Sequence, residues 1–220
     1  YYNQISETAS HGGWNFSKLL EDNNFHISGI STGPITYKEL KKYDVLIILS
    51  SKDYSKVGDY SDDEIDAIEN CVKDGGGLFH TRESWRGAGE HGTGEIAKRF
   101  GGSFAKDGQK CDPGEYYKKD MKNVVEIRNI TKHAIKEGIY NFYLVKGTYI
   151  SDTGSSEVLA YADSDAWFDC LWDEPVPGKC GNMKKDADEK PGPFPVLSVM
   201  DYGEGRIVFM GDKSLFVNSW

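Results

Sequence analysis

Apolar positions follow two rhythms along the chain, and the switches between them predict its elements. Between residues 62 and 73, Ile65, Ile68 and Val72 return at helical spacing with Ala67 and Cys71 beside them, which gives a helix one apolar face. Ser61 precedes it as an N-cap, and Glu64 three residues later completes a capping box. Asp62 and Asp63 lie where the helix dipole favours negative charge. Gly75, Gly76 and Gly77 stop the helix, because glycine reaches the left-handed C-cap conformation without a Cβ penalty. Leu78 and Phe79 then open a short buried strand that delivers His80, Thr81, Arg82 and Glu83 to its carboxyl end.

The rest of the first half alternates in the same way. Ile5 to Thr8 predicts a first strand, followed by a polar turn at 10–13. Trp14, Phe16, Leu19 and Leu20 suit a helix ending near Asn23 and Asn24. Phe25, Ile27 and Ile30 stand roughly at every second position and predict a second strand. Thr36 caps a short helix that ends before Asp44. Val45 to Leu49 is a continuous apolar run, the mark of a parallel strand buried on both faces, and it ends in Ser50, Ser51 and Lys52. The order β-α-β-α-β-α-β implies α/β architecture, a mostly parallel sheet covered by helices with right-handed crossovers.

Beyond Glu83 the pattern loosens. The glycine-rich stretch 85–94 lacks GK[ST] and misses the GxGxxG spacing, so it reads as a lid or as a plain surface loop. A short helix follows at 94–100. Residues 103–120 are polar, with a turn at Pro113 and Gly114. Strands are expected at 124–130, 143–150 and 157–162, and a long loop insertion at about 163–192. Residues 195–200 and 206–210 form a C-terminal β-hairpin, and Gly211-Asp212 leaves a carboxylate at its end.

At 220 residues one core suffices, so 1–220 reads as a single domain. A formal charge of −9 argues against nucleic acid or an anionic membrane as the main partner. No apolar run reaches the roughly 18 residues of a membrane span, and residues 1–10 are no signal peptide. The first residue is not Met, as expected of a processed or excised chain. Cys71, Cys111, Cys170 and Cys180 form no CxxC pair. Cys170 and Cys180 bracket a loop that a disulfide could staple, whereas Cys71 suits a helix core. With sequons at Asn15 and Asn129, these features lean to an extracytoplasmic setting, cell-surface or secreted.

Taken together, the motifs KKYDVLIILS, SDDEIDAIENCVKDGGGLF, NITKHAIKEGI and VMDYGEGRIVFMGDKSLF run from about Ile35 to Phe216. In that order they resemble the class I glutamine amidotransferase-like superfamily, in particular a cell-surface or transporter-associated branch of it. The segment GGGLFH is similar to ThuA-like trehalose-utilisation proteins. The resemblance implies a flavodoxin-like three-layer α/β/α sandwich. It also implies where a Cys-His-Glu triad would place its cysteine, on an elbow after the strand ending near His80. This chain has His80, Thr81, Arg82, Glu83 and Ser84 there, and Cys71 lies on the preceding helix. Ser84 is outside any GxSxG elbow. Triad catalysis is not expected.

On that fold His11, Ser50, Ser51, His80, Arg82 and Glu83 converge on one sheet edge, with Asp212 beside them. The cluster suits a sugar, a carboxylate or a peptide end. His11 or His80 with Glu83 could act as an acid/base pair, or with Asp212 as a metal site. Equally, Arg82 could pair with Glu83 or Asp212 while the histidines are solvated. No HExxH or DxD spacing marks these residues as a preformed site, so no metal and no cofactor are expected. His133 and Arg206 read as structural. Trp167 and Trp172 suit either a sugar or protein contact or a satellite cluster under the insertion. The leading functional reading is a non-catalytic domain that binds a small polar ligand, a glycan or a protein partner. The alternatives are a hydrolase of sugar or amide substrates using His80 and Glu83, and a purely structural module.

Overall fold

A computed structural model describes residues 13–30, 33–49, 60–82, 93–105, 108–114, 121–170 and 181–217. In chain order its elements are α1 (Trp14–Asp22), α2 (Tyr37–Leu40), β1 (Val45–Ile48), α3 (Asp62–Lys73), β2 (Gly77–Thr81), α4 (Thr93–Arg99), β3 (Ser103–Phe104) and β4 (Gly108–Cys111). There follow β5 (Val124–Ile127), β6 (Asn129–Ile130), β7 (Phe142–Val145), β8 (Ile150–Asp152), β9 (Glu157–Ala162), β10 (Trp167–Cys170), β11 (Phe194–Tyr202) and β12 (Gly205–Met210).

Local signals built the first of these as expected. Ser61 Oγ accepts from the Glu64 amide at 3.2 Å, and Glu64 Oε2 accepts from the Ser61 amide at 3.1 Å, closing the capping box. Gly75 takes φ +103° just past the helix. The Gly77 amide then donates to Asp44 O at 2.8 Å, which ties the start of β2 to the start of β1. Thr36 caps α2 through the Glu39 amide.

The fold is mixed α/β. Its six-stranded sheet has the order β1-β2-β12-β11-β9-β6. β1 and β2 are parallel, as are β2 and β12, but β11, β9 and β6 join antiparallel. The expectation of a mostly parallel sheet is corrected here. The tight turn at Gly203, with φ +62°, sends β12 back along β11, and a reversal that short permits only antiparallel pairing. Three two-stranded ladders, β4 with β10, β3 with β8 and β5 with β7, stand outside this sheet.

Alternation along β2 and β12 divides the core. Leu78, Ile207 and Phe209 pack with Ile65, Ile68 and Ile96 of α3 and α4 in one cluster. Phe79 and Met210 belong to a second, with Leu144, Tyr149 and Phe194.

Other expectations also change. Residues 25–30 form no strand: Phe25 is largely exposed, and Ile30 packs against the core from an unpaired segment. β1 is not buried on both faces, since Val45 is 52% exposed. The polar stretch 103–120 contains β3 and β4, and the insertion contains β10, because pairing between distant segments outweighs weak local pattern. The expected strand at 5–8 and the glycine-rich stretch 85–92 lie outside the described residues.

Candidate functional site

β2 and β12 run parallel and adjacent, so Thr81 faces Met210 in register and both strands end at one edge. The Arg82 amide donates to Met210 O at 3.1 Å and extends the ladder one residue further. His80, Arg82 and Asp212 are thereby brought to the same edge of the sheet.

What the edge does with them differs from the expectation of an open polar cluster. His80 is fully buried. Its ring stands edge-on to Phe104 and Phe209, with centroids 5.5 and 6.0 Å away. Its Nδ1 lies 3.5 Å from Ile48 O. Asp212 is also fully buried, and backbone amides occupy both of its oxygens. Val145 N donates to Oδ2 at 2.6 Å and Ser214 N to Oδ1 at 2.7 Å. One carboxylate therefore joins the end of β12 to β7 and starts the 3₁₀ turn Ser214–Phe216. Arg82 and Lys213 are each 3% exposed. Arg82 Nη1 lies 3.0 Å from the point where a Cβ on Gly94 would stand. The Thr81 hydroxyl is buried with no hydrogen-bond partner among the described residues.

Lys110 was not among the residues the sequence singled out. It is fully buried on β4, and its ammonium donates to Thr148 O. A Cβ on Gly147 would fall 3.0 Å from Lys110 Nζ, 3.1 Å from Asp212 Cβ and 2.8 Å from Gly211 O. Glycine at 147 is what lets lysine and aspartate approach. Burial pulls the Lys110 pKa down from 10.5 to about 7, and the Asp212 charge works against that shift. Nothing in GQKC marks this lysine, since it lies in a polar run without periodicity.

His11, Ser50, Ser51 and Glu83, with Trp172 and Cys180, lie outside the described residues. Of the residues read as structural, His133 accepts the Ile135 amide at 3.2 Å, and Arg206 Nε donates to Asp201 at 3.2 Å across the hairpin. Trp167 is 2% exposed and pairs with Cys111 in the β4–β10 ladder, which seats it in the interior and not on a contact surface. Among the described residues no group of three or more His, Cys, Asp or Glu side chains could hold a metal ion. No described helix is long and apolar enough to cross a membrane.

The chain matches no family profile and no curated protein. It does match solved structures. One, described as the mmIFT52 N-terminal domain, superposes with a TM-score of 0.70 at 12% identity, covering 99% of this chain and 86% of that one. A ThuA-like protein from Bacteroides uniformis gives 0.51 at 15% identity over 94% and 78% of the two chains. A cytoplasmic protein from Salmonella typhimurium gives 0.53 at 15% identity over 92% and 76%. At such identities the likeness is one of fold. A ThuA-like protein, the resemblance read at GGGLFH, is among the chains that share this fold. The extracytoplasmic setting is corrected by the same comparison, because the Salmonella neighbours are described as cytoplasmic proteins.

Proposed function

We propose that this chain is a non-catalytic binding module whose ligand, a small polar molecule or glycan, is taken at the carboxyl edge of β2 and β12. The observation that carries the reading is the seating of His80, which has no exposed surface and stands edge-on to two phenylalanine rings. A general acid or base must reach the proton it moves, within about 3 Å or through one water, and a ring so enclosed does neither. Asp212 is likewise committed, to two backbone amides. The missing cysteine in residues 80–84 accords with a branch of the amidotransferase-like superfamily that has lost its nucleophile. One fold neighbour is described as an N-terminal domain, in keeping with a module inside a larger protein.

The test pairs a thermal-shift screen of sugars, carboxylates and phosphates with turnover assays on chromogenic glycosides and amides. The expected result is stabilisation by one ligand class without turnover. Arg82→Gln should remove that stabilisation, and His80→Phe should retain it. Turnover by the wild type that disappears in a folded His80→Phe variant overturns the reading.

A further inference from the structure

The segment 181–192 lies along β10 as a strap. Its far end is zipped to the strand: Phe168 N donates to Lys190 O at 2.9 Å, Gly192 N to Ala166 O at 2.8 Å, and Pro191 bridges Trp167. Lys190 Nζ adds a bond to the Tyr149 hydroxyl at 3.1 Å. The near end is held differently. Gly181 N and Met183 N each donate at 2.8 Å to the two oxygens of Asp169, a fully buried carboxylate on β10. Met183 is kept at φ +56°, a left-handed conformation unfavourable for a long side chain. The near end therefore carries backbone strain, and its Gly181 and Met183 amides both rest on one carboxylate.

A second carboxyl group approaches that anchor. Glu189 Oε2 accepts the Asp186 amide at 2.8 Å. Its Oε1 is buried and finds no donor among the described residues, and the Glu189 carboxyl group meets the Asp169 side chain. Two carboxylates cannot both ionise cheaply in such a place. A proton on Oε1 turns an orphaned acceptor into a donor to Asp169 and removes one charge. Burial, and then the Asp169 carboxylate, push Glu189 up from 4.5 to about 7, while the Asp186 amide pulls it down.

We propose that a proton on Glu189, donated to Asp169, latches the strap to β10, and that losing it frees the near end of the strap around Met183.

The neighbouring charged and titratable groups do not supply that proton. On β4, Cys111 Sγ lies 4.0 Å from Asp169, and burial raises its thiol well above the ordinary range, so it stays neutral. Gln109, beside it, offers a weak bond at 3.5 Å. Asp186 on the strap adds negative charge, which favours the proton on Glu189. Lys122 lies 5.8 Å over the Trp167 ring, and the Lys110 ammonium is engaged by Thr148 O. The strap is thus held at acid pH, and its grip loosens as pH rises through neutrality.

Hydrogen exchange of the whole chain at about pH 5.5 and about pH 8.5, corrected for intrinsic rates, reads this directly. The expected result is about a tenfold or greater loss of protection at the Gly181 and Met183 amides at the higher pH, with β9 and β11 unchanged. Glu189→Gln keeps a donor towards Asp169 at every pH and should abolish the difference. As a check within the wild type, the Glu189 carboxyl carbon should titrate in step with the Met183 amide by NMR. Equal protection at both pH values, persistence of the difference in Glu189→Gln, or a Glu189 titration that leaves Met183 unmoved each overturns the proposal.

Discussion

Lys110 and Asp212 both crowd Gly147, each fully buried, the lysine Nζ 3.0 Å and the aspartate Cβ 3.1 Å from where a Cβ on that glycine would be. Through them the β4–β10 ladder, β7 and the end of β12 are fastened to one another. The edge that looks like a reaction centre in the sequence is, for these residues, a structural knot.

Removing one member should therefore cost more than a surface ion pair would. Asp212→Ala leaves the Val145 and Ser214 amides without their acceptor beside a buried amine, and the expected loss is about 3–5 kcal/mol. Lys110→Met fills similar volume without a charge and should lose less than half as much. Urea unfolding midpoints of the two variants compare them.

The same lysine sets a pH dependence. Its folded pKa of about 7 lies below the ordinary 10.5, so between those values the unfolded chain binds the extra proton. Stability should then rise as pH climbs from about 7 towards 10.5. Chemical denaturation across that range, compared with Lys110→Met, which lacks this contribution, checks the sign.

His80 should accept an aromatic replacement and reject a charge. His80→Phe preserves the edge-on contacts to Phe104 and Phe209 and is expected to cost less than about 1.5 kcal/mol. His80→Asp would bury an unpaired carboxylate and should prevent stable folding. Circular dichroism with thermal melts separates the two outcomes.

The hairpin turn is docked on the end of α3. A Cβ on Gly205 would come within 2.2 Å of Gly76 O and Val72 O, both rigid backbone. Gly205→Ala should destabilise by more than about 2 kcal/mol, whereas Glu204→Ala in the same turn should stay within about 0.5 kcal/mol. Thermal melts of both show whether the turn or its docking is responsible.

Sequence alone determined the elements whose causes are local. The Ser61–Glu64 capping box, the glycine stop before β2, the Thr36 cap and the hairpin around Gly203 all depend on residues a few positions apart. Sequence order also placed His80, Arg82 and Asp212 at one sheet edge. Tertiary structure decided the rest, because the deciding partner lies far along the chain. GQKC becomes a strand through WFDC, some sixty residues on. Alternation at 25–30 comes to nothing, and the sheet turns antiparallel beyond β12. Burial itself is a tertiary property: a histidine at a strand end reads the same whether it meets solvent or two phenylalanine rings. Only packing showed that His80 and Asp212 are buried, and that Lys110 lies near Asp212.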